Sequence, residues 1–166
     1  MKRVNKVLKF VFILVLITPA CSNDSKQFYE KVSSKSFADV MQDAEFAITE
    51  NNFRITNRLH IGEAIQKRGN ASFPKNEVII FCNLTLAEEM LGIEPRYINY
   101  CPYKITIAEA DNKVIIGTRL LPENTQNHKM DKMAKNINKT LRSMVEYAAV
   151  EDPFILENNS NSDDSK

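Results

Sequence analysis

An apolar run in the middle of the chain, Val78 to Cys82, constrains the fold more than any other feature. The run reads Val, Ile, Ile, Phe and Cys, with no polar position between them. Branched and aromatic residues favour strands, and a strand that is apolar on both faces is typical of one packed above and below. The run therefore predicts a deeply buried internal strand, around which the rest of the chain packs.

A β-hairpin is predicted downstream of this strand. Tyr103, Ile105 and Ile107 alternate with polar residues, and a second alternating segment runs from Val114 to Leu120. The two segments are joined through Asp111-Asn112, residue types that tolerate the positive φ angles of a tight turn. Less regular alternation predicts two further strands, at 28–32 and 53–59.

Helical periodicity predicts two amphipathic helices at the ends of the domain. The first begins at Ser36, whose hydroxyl and the carboxylate of Asp39 form a pattern like a capping box, and its apolar residues recur up to Ile48. The last covers about 127–149, and its inward residues are Met130, Met133, Ile137, Leu141, Met144, Val145 and Ala148. Five basic side chains occupy its other side, which is typical of a solvated face, and contact with anionic lipid head groups is the alternative reading.

Shorter helical segments are predicted between these elements. A capping box from Thr85 to Glu88 starts one of them, and Gly92 is placed where a left-handed C-terminal residue would end it. The segment 60–68 is ambiguous from its pattern alone, and a short helix stopped by Gly69 is one reading. The segment 93–100 is predicted to be a loop.

The N-terminus has the pattern of a secretion signal. Lys2, Arg3, Lys6 and Lys9 precede a short apolar run at 10–17, which is too short to span a bilayer comfortably. Ala20-Cys21 then resembles a bacterial lipobox, which predicts a lipid on Cys21 that anchors the chain to a membrane. A plain secretory signal cut near Ala20 and an uncleaved anchor are the alternatives.

These patterns predict four segments. They are a lipoprotein-type signal at 1–20, a polar tether at 21–26, a single domain at 27–150 and a polar, disordered tail at 151–166. The predicted localisation is the cell envelope, with the domain facing the periplasm or the exterior. Membrane contact through the lipid is the expected association, and a homodimer is a further one.

Composition excludes several function classes. Without the basic residues of the signal, 18 basic residues face 21 acidic ones, so the chain lacks the basic footprint of a nucleic-acid-binding protein. Glycine-rich phosphate-binding motifs are absent, and two histidines are too few for a His-rich metal site. No cofactor is therefore expected.

The order of these elements resembles one known family, the domain of unknown function 302. The resemblance rests on a helix running into a strand at 47–55, the strand end Phe81-Cys82-Asn83, the helical Ala87 and Met90-Leu91, Pro95, Cys101-Pro102, and the hairpin 103–121. It implies an α+β domain with a mostly antiparallel sheet and helices packed on one face, similar in shape to the TATA-binding-protein class. It implies no activity.

Cys82 and Cys101 are the two thiols that remain if Cys21 carries lipid. If their strands are antiparallel, both cysteines lie at the same end of the sheet, whereas a parallel crossover would separate them by about 20 Å. A disulfide closing this loop would contribute about 3 kcal/mol in the chain-entropy model. Two buried free thiols, or a functional pair for redox chemistry or metal binding, are the other readings.

A pocket beside the two cysteines is a further prediction. Its candidate lining residues are Asn83, Tyr100, Pro102, Tyr103 and His60. The first functional hypothesis is an envelope lipoprotein whose domain binds a small ligand or a partner without catalysing a reaction. The alternatives are a thiol-dependent redox or metal-handling protein and a purely structural dimerising module.

Overall fold

The computed structural model describes residues 27–151. Five strands, four α-helices and one 3-10 turn make up this part of the chain. In order they are β1 (Phe28–Ser33), α1 (Phe37–Glu50), β2 (Arg54–His60), α2 (Ile61–Lys67), β3 (Asn76–Cys82), α3 (Leu84–Ile93), the 3-10 turn (Pro95–Tyr100), β4 (Tyr103–Ala110), β5 (Lys113–Arg119) and α4 (His128–Ala149). Cys21, the predicted signal and tether, and the predicted tail beyond Glu151 lie outside the described residues.

The strands form one antiparallel sheet in the order β1-β5-β4-β3-β2. The apolar run that predicted an internal strand lies in β3, between β2 and β4. Ile79 pairs with Ile105 and Phe81 pairs with Tyr103, so neighbouring strands present their large side chains in register. The α+β class and the mostly antiparallel sheet predicted from the resemblance are therefore correct.

Helices α1 and α4 cover one face of the sheet and form the core with it. Ile79, Phe81, Ile105 and Ile116 on the strands are fully buried, and so are Val40, Ile48, Leu141 and Met144 on the two helices. Each such side chain contributes about 1.5–3 kcal/mol by leaving water. This one continuous layer of side chains accounts for the amphipathic patterns of both helices.

The opposite face of β3 is less covered than its sequence predicts. Val78 and Ile80 point to that face and are only half-buried. The expectation of an apolar strand deeply packed on both faces is thus correct for one face alone. In the part of the chain that the structure describes, no helix is both long and apolar enough to cross a membrane.

The sequence patterns at the helix ends predicted the start of α1 correctly and the ends of α3 wrongly. Ser36 caps α1 as predicted, with its hydroxyl accepting from the Asp39 amide. For α3, however, the cap is Asn83, whose side chain accepts from the Leu86 amide, so the helix starts before Thr85. Gly92 lies within α3 instead of ending it in a left-handed conformation.

The hairpin turn follows its sequence. Asp111 and Asn112 have φ angles of 49° and 58°, and they join β4 to β5 as a two-residue loop. Positive φ at both central positions matches the right-handed twist of the flanking strands. Because this turn fixes the register of β4 and β5, it also fixes which residues lie side by side at the far end of the hairpin.

Candidate functional site

Cys82 and Cys101 lie side by side at one end of the sheet. Cys82 is the last residue of β3, and Cys101 precedes β4 by two positions. The chain between them passes through α3 and the 3-10 turn and comes back antiparallel, so both cysteines reach the same end of the sheet. Their Sγ atoms are 2.9 Å apart. The antiparallel alternative set out from the sequence is the one that the fold adopts.

Both cysteines are free thiols in this structure and are only partly exposed. Their separation exceeds the length of a disulfide bond, which is about 2.05 Å. Closing the bond would remove two protons and two electrons from the pair. The arrangement thus brings together the two groups that disulfide formation requires, within a loop whose ends are already fixed by β3 and β4.

The environment of Cys101 keeps its thiol protonated. Burial, the hydrogen bond with Cys82 and the charge of that neighbour together raise the pKa of Cys101 to about 12, and burial contributes most. Because the thiolate is the nucleophile in thiol–disulfide exchange, a raised pKa slows attack by this sulfur near neutral pH. Cys101 is consequently not the attacking thiolate near neutral pH.

Tyr103 supplies a third polar group beside the pair. Tyr103 is 4% exposed, and its hydroxyl has no hydrogen-bond partner among residues 27–151. The ring packs edge-on against Phe53, with centroids 5.6 Å apart. Burial raises the pKa of Tyr103, and the charges of Cys101 and Cys82 act in the same direction. The phenol therefore stays protonated and does not act as an acid or base near neutral pH.

An open cleft of about 300 Å³ is lined by the residues on either side of Cys101, although neither cysteine is on its wall. Its walls include Tyr100, Pro102, Tyr103, Lys104, Arg119 and Leu120. Thr118 pairs with Ile105, so Lys104 and Arg119 come from neighbouring positions on β4 and β5. Both cationic side chains are exposed.

Three of the five predicted pocket residues meet here. Tyr100, Pro102 and Tyr103 line the cleft beside Cys101. Asn83 is adjacent in sequence to Cys82, but its side chain caps α3 and donates to the Asn52 carbonyl at 3.0 Å. Its role here is structural.

His60 is not part of this group. It ends β2 opposite Glu77, at the other end of β3, and its Nδ1 lies 2.5 Å from the Glu77 carboxylate. Five residues of strand separate Glu77 from Cys82, which is about 17 Å. Antiparallel pairing of β2 with β3 is the reason that His60 and Cys82 lie at opposite ends.

Lys104 and Arg119 are functional candidates that the sequence reasoning missed. The alternation of Tyr103, Ile105 and Ile107 already implied that Lys104 faces away from the core. Whether Lys104 lies beside Arg119 depends on the register between β4 and β5. The predicted two-residue turn at Asp111-Asn112 is enough to derive that register. Among residues 27–151 there is no group of three or more His, Cys, Asp or Glu side chains placed to hold a metal ion.

The fold and the site together define a small α+β domain with one antiparallel sheet, two covering helices and a thiol pair at one end of the sheet. The family model described as "Domain of unknown function DUF302" matches residues 29–148, and the chain belongs to this family. A solved structure described as an uncharacterized conserved DUF302 protein from Bacillus stearothermophilus is similar, with a TM-score of 0.66 at 16% sequence identity. The match covers 73% of this chain and 97% of that one. No curated protein matches the chain.

Proposed function

We propose that this chain is a membrane-tethered envelope protein whose domain binds a small anionic ligand in the cleft beside Cys101. The observation that carries the proposal is the pairing of Lys104 and Arg119 on the cleft wall. In the described part of the chain neither side chain forms an ion pair with a carboxylate. Arg119 instead donates to the Gln27 side-chain oxygen at 2.9 Å.

The cleft has the mixed character of a small-molecule site. Its volume is at the lower end of the range for such sites, and small-ligand sites usually combine apolar walls with a few convergent polar groups. Tyr100 and Leu120 provide apolar surface, and the two cations provide charge. A carboxylate or phosphate is the natural partner of a guanidinium with free donors. The ligand class is therefore a small molecule with one anionic group and an apolar part.

Removing the two cations should abolish this binding. We expect phenylacetate to shift the amide NMR signals of residues around Tyr100 and Leu120 in a saturable way, and phenylacetamide, which lacks the charge, to shift them far less. Lys104→Ala/Arg119→Ala should lose about 2 kcal/mol or more of binding, because each charged hydrogen bond is worth about 1.5–3 kcal/mol. Heteronuclear NMR titration of the isotopically labelled chain measures both effects.

Lys67→Ala is a suitable control for this experiment. Lys67 lies on α2 and is paired with Glu63, away from the cleft. The control should bind phenylacetate as the unsubstituted chain does. If aromatic and aliphatic monocarboxylates all leave the cleft signals unmoved, or if the double variant binds them undiminished, the ligand proposal is wrong.

For the cysteines we propose a structural disulfide that holds the cleft wall. Cys101 connects the cleft residues Tyr100 and Pro102, so a bond from Cys101 to β3 would fix both of them relative to the sheet. The raised pKa of Cys101 argues against this sulfur as the attacking thiolate in exchange with other thiols. Reversible redox or metal-handling use of the pair has no observation in its favour beyond the closeness of the two sulfurs.

The lipid anchor is the part of the proposal that depends on Cys21. We expect the full chain to fractionate with membranes when it is expressed in a bacterium, and Cys21→Ala to release the processed chain into the soluble fraction or leave an unprocessed precursor. Mass spectrometry of the N-terminal peptide checks the modification directly. Unchanged membrane fractionation of Cys21→Ala, without a mass increase on the native peptide, would remove lipidation from the account.

A further inference from the structure

The outward side of α4 carries a row of lysines that the cleft and the core do not use. Lys132, Lys135 and Lys139 recur at helical spacing and lie within about 60° of one another around the helix axis. All three are exposed, and none forms an ion pair with a carboxylate among residues 27–151. These three residues are called the lysine row below.

The acidic residues nearest the lysine row have other hydrogen-bond partners, and Asp131 is the one close enough for the charge of Lys135 to help lower the pKa of its carboxyl, after the hydrogen bonds from Thr125. Asp131 accepts from the backbone amide and hydroxyl of Thr125, and Glu146 accepts from the Tyr29 hydroxyl. Glu89 on α3 faces Lys129, which is outside the row. The row is therefore a local positive patch on a chain that has more acidic than basic residues once the signal is excluded.

The N-terminal end of the described chain, at the start of β1, packs against the same helix. Tyr29 is the second residue of β1, and the Arg142 guanidinium lies 4.4 Å from the centre of its ring. Residues 22–26 alone separate Cys21 from Gln27. A chain of this length reaches at most about 20 Å when fully extended. If Cys21 is attached to lipid, α4 cannot move far from the membrane surface.

We propose that the lysine row docks on an anionic lipid surface and orients the domain on the membrane. The nearness of the surface rests on the proposed lipid anchor, whereas the charge and exposure of the row do not. Attraction between basic side chains and anionic lipids acts over about one Debye length, 8–10 Å. The short tether keeps the lysine row near the membrane surface. Binding of the row to the surface therefore costs little additional translational entropy.

Each lysine at an anionic membrane contributes about a five-fold gain in partitioning, which gives roughly a hundred-fold for the row. A single acyl chain gives only marginal anchoring, and a basic patch is a recognised second signal. With several acyl chains on Cys21 the row would add little to retention. The lysine row would then determine which side of the domain faces the lipid.

Vesicle co-sedimentation of the chain that begins at Ser22 tests the row without any lipid anchor. The similar solved structure, matched over 97% of its own length, consists of this fold alone, so the fold does not depend on the preceding residues. We expect binding to phosphatidylcholine vesicles that contain about one-third phosphatidylglycerol, and its loss near 0.5 M NaCl. Lys132→Gln/Lys135→Gln/Lys139→Gln should weaken that binding roughly a hundred-fold.

The matched control removes the same charge from other elements. Lys67→Gln/Lys75→Gln/Lys113→Gln changes three lysines outside α4 and should bind the vesicles nearly as the unsubstituted chain does. Equal weakening by the two triple variants, or equal binding to pure phosphatidylcholine, would overturn the proposal. So would retention on heparin beads without vesicle binding, which would indicate an acidic polymer as the partner. Because Cys21 is absent from this chain, none of these outcomes depends on lipidation.

Discussion

Oxidation of Cys82 and Cys101 to a disulfide should raise the free energy of unfolding of the domain by about 3 kcal/mol. The bond closes a loop of about 20 residues and thereby restricts the unfolded chain. The native geometry needs little adjustment, since the Sγ atoms are already 2.9 Å apart. A gain of this size is a large share of the 5–15 kcal/mol by which domains are usually stable. A disulfide oxidant such as oxidised glutathione takes up the two electrons and is itself reduced to two thiols.

Urea unfolding of the chain that begins at Ser22, with and without reductant, measures this difference. That chain has two cysteines, so alkylation followed by mass spectrometry reports the state of the pair without ambiguity. Cys82→Ala/Cys101→Ala is the control, and reductant should not change its stability. Protein recovered from the bacterial envelope with both thiols alkylated would contradict the proposed disulfide. So would an oxidised domain no more stable than its reduced form.

The relation between these two cysteines shows where the sequence reached its limit. The connection from Cys82 to Cys101 contains α3, and a helical connection of this length is as typical of a parallel crossover as of an antiparallel return. The 3-10 turn at Pro95–Tyr100 brings the chain back beside β3, in a segment predicted to be a loop. Local pattern identified both strands, but their direction depends on packing between distant segments.

The hairpin was predictable because its information is local. Alternation in Tyr103–Ala110 and Lys113–Arg119 identifies the inward face, and the turn residues fix the register. From these alone Lys104 and Arg119 could have been placed together on the outward face. The cleft itself could not be derived, since Gln27 and Leu120 reach it through the pairing of β1 with β5.

Errors at the helix ends have a similar physical cause. Asn83 and Thr85 are both good N-cap residues, and the sequence cannot tell which of them the end of β3 places in extended geometry. Gly92 is compatible with a helix interior at a cost of about 1 kcal/mol relative to alanine, a cost that tertiary contacts can offset. His60 was grouped with the cysteines because strand pairing, which separates them, is invisible in a single strand.

Asn138→Ala should lower the free energy of unfolding by about 3 kcal/mol, although asparagine is a poor helix former and alanine the best. Asn138 is 2% exposed in the middle of α4. Its Oδ1 accepts from the Leu121 amide at 2.8 Å, and its Nδ2 donates to the Leu121 carbonyl at 2.9 Å. The substitution would leave two backbone groups of a buried residue without partners, and each costs about 1–3 kcal/mol.

Asn136→Ala separates this effect from the loss of an asparagine in general. Asn136 is exposed on the same helix, so its replacement should change stability by no more than about 0.5 kcal/mol. Urea unfolding followed by circular dichroism compares the two variants. Equal stability of Asn138→Ala and the native chain would mean that Leu121 finds other partners.

Because Leu121 also lines the cleft, the same variant should weaken phenylacetate binding while Lys104 and Arg119 remain in place. That result would connect the buried hydrogen bonds of Asn138 to the proposed ligand site.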